Sequence, residues 1–201
     1  MNGRIVFLLE EPSMKILLEC LLPRIFPGWV AGIHFLCIQH EGKNDLRKSI
    51  PRKLRAWQGH NDRFVVVQDQ DKADCIALKR SLLALCREAG RSDTLVRIVS
   101  RELESWYFGD LDALSQEYGE ASLRHKDSRK RFCDPDSIVK PSLILEKLIP
   151  AFQKLSGARR LGLRIDLESN KSRSFAAFVS GVQRVASEMG CTGTQGMPER
   201  P

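Results

Sequence analysis

Four short runs rich in β-branched and aromatic residues punctuate the first hundred positions: RIVFLL at 4–9, IHFLCI at 33–38, RFVVVQ at 63–68 and TLVRIV at 94–99. Each has the length and composition of a buried strand. The segments between them have helical spacing. Met14, Leu17, Leu18, Leu21 and Leu22 recur on one face until Pro23 and Pro27 end the pattern. Asp45–Trp57 reads as a basic amphipathic helix with Pro51 in its early turn, and Cys75–Ala89 as an apolar-faced helix stopped by Gly90. Strands that alternate with helices require right-handed crossovers, so the expected architecture is α/β with a mostly parallel sheet.

After Ser100 the pattern changes. Glu102–Phe108 and Leu111–Tyr118 read as a broken helical pair, followed by a polar, basic stretch to about Lys140. Pro141–Leu155 and Arg173–Met189 are the remaining expected helices. The predicted organisation is an α/β core over residues 1–110, a helical extension over 111–190 packed on it, and a flexible tail over 191–201. At 201 residues and 42% apolar content the chain can bury a real core, which excludes a disordered or collagenous protein. No apolar run approaches the roughly 18 residues of a membrane span, and the start lacks a signal-peptide pattern, so a cytoplasmic protein with no membrane partner is expected. The six cysteines are dispersed without C-x-x-C spacing and read as small apolar residues in a reducing compartment. There is no internal repeat and no glycine-rich phosphate loop.

Thirty-two Lys and Arg against 25 Asp and Glu give a net charge of +7. The cations cluster. Lys43, Arg47, Lys48, Arg52, Lys53 and Arg55 form one group; Arg124, His125, Lys126, Arg129, Lys130 and Arg131 form a second; Arg159, Arg160, Arg164, Lys171 and Arg173 form a looser third. Such groups suit neutralisation of a nucleic-acid backbone. Solvated helix faces would give the same pattern.

The acids are placed differently. In an open α/β sheet, binding groups gather beyond the carboxyl ends of the strands. There the first strand delivers Glu10 and Glu11, the third Asp69 and Asp71, and the fourth leads into Glu102 and Glu104. If strand geometry persists, Asp69 and Asp71 project to the same side. Carboxylates held this close repel one another unless a cation lies between them, and an all-oxygen set points to Mg²⁺ or Mn²⁺. In a basic protein, that combination suits phosphodiester chemistry. The alternative is that these acids cap the helices that follow them.

The order strand–Glu–helix, strand–Asp-x-Asp and a later acid resembles the Toprim domain of topoisomerases, primases and the overcoming-lysogenization-defect (OLD) nucleases. More closely, LLEEPSMKILLECLLP, VVVQDQDKADC, RELESWYFGDLDAL and NKSRSFAAF resemble a family of small stand-alone Toprim-like proteins encoded beside ABC/SMC-type ATPases in bacterial defence islands. The resemblance spans roughly residues 4–185. It implies a Toprim-like sheet, a catalytic set of Glu10, Asp69, Asp71 and Glu104 in which Glu10 is a general acid/base or metal ligand and Asp69 and Asp71 are the metal pair, with Glu11 as a further ligand and Glu102 as a substitute for Glu104, and an ATPase partner. The usual Toprim pattern has a glycine after the first glutamate; here Glu11 and Pro12 stand there. With neither a tyrosine-bearing cleavage domain nor a zinc ribbon evident, this departure points away from topoisomerase and primase activity and leaves nuclease.

The function expected is therefore a Mg²⁺-dependent (or Mn²⁺-dependent) nuclease or nuclease subunit acting on DNA or RNA with an ABC/SMC-type ATPase in anti-phage defence. The alternative is a non-catalytic nucleic-acid-binding or adaptor subunit of the same fold. Trp106 and Tyr107 are expected to pack on the sheet rather than stack on bases. Lys140 is expected on the surface, and one serine of NKSRS is expected to cap the last helix.

Overall fold

A computed structural model describes residues 3–190; the tail expected over 191–201 lies outside them. Its centre is a four-stranded, fully parallel sheet in the order β2-β1-β3-β4, built from β1 (Ile5–Leu9), β2 (Phe35–Gln39), β3 (Arg63–Asp69) and β4 (Leu95–Val99). The register pairs Ile5 with Phe35 on one side and with Arg63 on the other, and Asp69 with Val99.

Both faces of the sheet are covered, which explains why its central strands are continuously apolar. Ile5, Phe7, Leu9, Val65 and Val67 face one core layer, formed by α1 (Pro12–Ile25) and the C-terminal helices. Val6, Leu8, Phe64 and Val66 face the other, formed by α2 (Lys43–Ala56) and α3 (Cys75–Glu88). The chain thus leaves β1 toward one face and β3 toward the opposite face. These two strands are neighbours, so a crevice opens between their carboxyl ends.

The second strand begins two residues later than its apolar run. Ile33 is 64% exposed, and β2 is an edge strand with alternating burial. The first helix continues through Pro23 to Ile25, and Phe26 N–H closes it by donating to the Leu22 carbonyl at 2.9 Å. The second starts at Lys43, which places Pro51 in its interior rather than its early turn.

The larger correction concerns Pro141–Leu155. After α4 (Glu104–Phe108), α5 (Leu111–Tyr118) and the short α6 (Lys126–Arg131), that segment is not one helix but two: α7 (Pro141–Leu148) and α8 (Lys154–Gly162). Pro150 lies at the break, where its missing N–H and its ring oppose continuation. The consequence is that Lys154 opens a helix instead of closing one. Helix α8 lies close against α1: a Cβ on Gly162 would meet the Leu17 carbonyl oxygen and Cys20 Cβ, both at 2.9 Å. The last helix, α9 (Arg173–Glu188), lies against β4, with Arg97 Nε donating to the Ala177 carbonyl at 2.8 Å.

Ser172 caps α9 as expected, its Oγ accepting from Phe175 N–H at 3.1 Å. Asp136 accepts from Ser174 N–H at 2.9 Å and from Ser172 Oγ at 2.6 Å, so a carboxylate of the chain itself occupies this helix N-terminus. Trp106 is buried against Phe175 and Phe178, as expected of a core residue. The cysteines divide: Cys37 and Cys86 are buried, Cys20 is half-buried, and Cys75 and Cys133 are exposed, all of them free; Cys191 lies outside the described residues.

Candidate functional site

The carboxyl ends of β1, β3 and β4 bring the sequence-predicted acids together, but on two sides of the sheet. Glu10 follows the parity of Val6 and Leu8 and lies on the α2–α3 side. Its charge interacts with those of Asp71 and Lys43, and Lys43 Nζ holds Asp71 Oδ2 at 2.9 Å. Asp69 follows the parity of Val65 and Val67 toward the C-terminal helices, where the charges bearing on it most are Glu11, Glu10, Glu104 and Lys154. The alternation that would turn Asp69 and Asp71 the same way stops with the strand. Asp71 adopts a left-handed backbone (φ 53°), its N–H donating to the Arg101 carbonyl at 2.7 Å.

Glu10 links the two groups. Its Oε2 accepts from the backbone N–H of Asp69 at 3.0 Å. Burial raises the Glu10 carboxyl to about 7 against the pull of that bond, with Asp71 and Glu11 pushing the same way. Burial likewise raises Glu104 to about 7. Asp69 is pushed well above the usual carboxylate range by burial and by Glu11, Glu10 and Glu104. One oxygen each of Asp69 (Oδ1) and Glu104 (Oε2) is buried with no hydrogen-bond partner among the described residues, as is the Tyr107 hydroxyl.

The alternative role, capping the helix that follows, is not filled by the side chains of Glu11, Asp69 or Asp71. The side chain of Asp74, not of Asp69 or Asp71, caps α3 by accepting from Ala77 N–H at 2.8 Å. Glu11 stands before α1 but makes no side-chain cap; it takes hydrogen bonds from Ser13 Oγ and from Lys154 Nζ, the latter at 2.6 Å. Glu102 is used differently. It accepts from Ser142 N–H at 3.0 Å at the start of α7, which leaves Glu104 as the acid that joins Asp69.

Sequence reasoning missed Lys154. Burial works against its ammonium, yet the bond to Glu11 and the charges of Glu104, Glu11 and Asp69 hold its pKa above the ordinary lysine value. Pro150 was the available signal, since it moves Lys154 to the first turn of a new helix. Tyr107 is buried as expected, but its hydroxyl lies within the field of Glu104, Glu11 and Asp69. His40 is buried and structural, bridging the Leu9 carbonyl and Ser49 Oγ, each at 2.8 Å.

Among the described residues, no three or more His, Cys, Asp and Glu side chains are arranged to hold a metal ion. The donor chemistry nevertheless fits a hard cation: the set is all carboxylate, mutually repelling, and has two unpaired buried oxygens. In the arrangement seen, Lys154 and Lys43 supply the compensating charge.

A cleft of about 550 Å³ adjoins the Glu10–Asp71 side, with Lys43, Arg47, Lys72, Arg101 and Lys140 on its walls. Lys43 and Arg47 come from the first basic cluster. Lys48, Arg52, Lys53 and Arg55 do not line it; Arg55 instead donates to the Glu88 carbonyl at the end of α3. Lys126, Lys130 and Arg131 are exposed on and beside α6 away from this cleft, and Arg129 pairs with Asp112 at 2.7 Å. Of the third cluster, Arg160 and Arg164 both clamp Glu117, joining α8 to α5.

No helix among the described residues is long and apolar enough to cross a membrane. A search of curated proteins returns no match. The fold is similar to the C-terminal region of the OLD protein of Xanthomonas campestris pv. campestris, in structures phased with iodine (TM-score 0.52, 13% identity, 94% of this chain and 97% of that chain) and with platinum (0.53, 14%, 94% and 96%). It is also similar to the C-terminal region of the Burkholderia pseudomallei OLD protein (0.50, 17%, 94% and 98%). At such identities the likeness establishes the fold, which is the Toprim-like one expected. The match of residues 9–183 to a family model places the chain in the DUF4276 family, described as a domain of unknown function.

Proposed function

We propose that this protein is a divalent-metal-dependent nuclease or nuclease subunit. The observation that carries the proposal is the pair of buried carboxylates, Asp69 and Glu104, each with an unpaired oxygen, in the field of Lys154 at the carboxyl end of a parallel sheet. Glu10, Glu11, Asp69, Asp71 and Glu104 would hold one or two Mg²⁺ or Mn²⁺ ions, which supply Lewis acidity toward a phosphodiester. The chain's own groups do the rest. Lys154, anchored by Glu11, would supply a fixed positive charge beside the acids, where it can offset negative charge that grows on a reacting phosphate. If Glu10 stays outside the metal's ligands, its carboxyl, raised by burial to about 7 in the metal-free protein, is instead the group that holds or releases a proton near neutrality. Arg47, Lys72, Arg101 and Lys140 neutralise flanking phosphates.

The likeness is to the C-terminal regions of larger OLD proteins, which fits a chain that works beside another part; an ABC/SMC-type ATPase as that part, in anti-phage defence, rests on the motif resemblance alone. A second reading, a non-catalytic nucleic-acid-binding adaptor, is favoured by one observation: Lys154 and Lys43 already balance part of the acidic charge. A titration of Mg²⁺ and Mn²⁺ against labelled single- and double-stranded DNA and RNA, with Asp69→Asn as control, separates them. Metal-dependent cleavage that Asp69→Asn abolishes supports the nuclease. Binding without cleavage, with the ATPase partner present, supports the adaptor.

A further inference from the structure

The three residues other than glycine with left-handed backbones among those described are Asp71, Arg101 and Lys140, at φ 53°, 60° and 53°. All three line the same cleft. This conformation is costly for a residue with a Cβ, and such residues gather where a ligand site must be held in shape. The volume of about 550 Å³ lies within the ~300–1,000 Å³ typical of small-ligand sites.

The lining has three kinds of group. Lys72, Arg101 and Lys140 have no anionic side-chain partner among the described residues. Leu78 and Val139 present apolar surface, and Val139 is 64% exposed. Gln68, the even-numbered residue before Asp69, is 2% exposed, and its Oε1 is buried with no hydrogen-bond partner among the described residues. A buried amide oxygen left unpaired is unfavourable and calls for a donor from outside the chain. Cations, an apolar wall and a buried amide are together the chemistry that recognises a nucleotide: phosphate, base face and base edge.

We infer that the cleft receives one unstacked nucleotide of a single strand, its base edge against Gln68 and its phosphate among Lys72, Arg101 and Lys140. This deepens the nuclease reading and rests on it for the strand leading from the cleft toward Glu10 and Asp69; the binding itself requires no cleavage. A base in a duplex is stacked and paired and cannot enter, so the substrate class is a single strand or an unpaired end.

The test is fluorescence anisotropy of the full chain in chelator, with a labelled single-stranded DNA and RNA 12-mer, an abasic strand of the same length and a blunt duplex. The single strands are expected to bind about tenfold more tightly than the abasic strand and the duplex. Gln68→Leu brings the single strand to the abasic level and leaves the duplex unchanged. The exposed double variant Lys72→Ala/Lys140→Ala weakens all four probes and lowers the salt dependence. Equal binding of all probes by the wild type overturns the inference. So does unchanged single-strand affinity in Lys72→Ala/Lys140→Ala, or in Gln68→Leu shown by melting to be folded. Displacement by nucleoside monophosphates without discrimination among the strands assigns the cleft to a free nucleotide and overturns it too. Discrimination without cleavage in Mg²⁺ or Mn²⁺, with the ATPase partner present, removes the nuclease reading alone, whereas cleavage without discrimination removes the cleft alone.

Discussion

Glu10 Oε2 accepts a hydrogen bond from the backbone N–H of Asp69 at 3.0 Å, so the end of β1 is tied to the end of the adjacent β3 by a side chain rather than by the sheet ladder. The bond lies where the two strands send their chains to opposite faces. It sets Glu10 between the Asp71–Lys43 pair on one side and the Glu11–Asp69–Glu104 group on the other.

Lys154 is expected to act through charge at the reacting phosphate. Lys154→Met should lower cleavage by about 10²–10³-fold while single-strand binding in chelator persists. Lys154→Arg, which keeps the charge with a different shape, should recover part of the loss. Single-turnover cleavage beside anisotropy checks both.

The raised carboxyls set a pH dependence for the metal-free protein. Glu10 and Glu104 move from an ordinary value of 4.5 to about 7 on folding. Below about pH 4.5 both states hold these protons, so the difference vanishes. As pH rises from 4.5 to 7 the unfolded chain sheds protons that the folded chain keeps, and stability falls; above 7 the full cost is present. The melting temperature in chelator should therefore drop between about pH 5 and pH 8. Glu104→Gln should flatten that drop, and Mg²⁺ or Mn²⁺ should oppose it. Melting curves across this range decide it.

Gly162 controls how closely α8, which carries Lys154, approaches α1. Gly162→Ala would set a methyl 2.9 Å from the Leu17 carbonyl oxygen and Cys20 Cβ. A loss of about 1–3 kcal/mol is expected from overpacking, read by urea denaturation. Displacement of α8 should also lower cleavage, even though Gly162 touches none of the acids.

Ser172 tests whether the NKSRS segment supports the fold or the chemistry. Its hydroxyl caps α9 and bonds to Asp136. Ser172→Ala should cost about 1–2 kcal/mol of stability. In buffer where the variant remains folded, single-strand affinity and cleavage should match the wild type.

Much of this arrangement could be read from local pattern. Strand and helix periodicities are short-range, so β1, β3, α5 and α9 lie within a residue or so of the bounds their patterns predict, and the parallel sheet follows from their alternation. The gathering of acids at the strand ends followed from the same rule. Which face each acid takes did not. Asp71 departs from strand alternation because its N–H is taken by the Arg101 carbonyl, a partner 30 residues away that no local pattern reveals.

The sequence alone determined the layered α/β scheme, the acidic edge and the core role of Trp106, because hydrophobic spacing and strand parity are properties of neighbouring residues. Only the tertiary structure decided that Lys154 meets Glu11 across 143 residues, that Glu102 leaves the acidic group to cap α7, and that Gln68 ends beneath a basic cleft. Those outcomes depend on how helices broken at Pro150 pack back onto the sheet, a balance of burial and charge spread over the whole core.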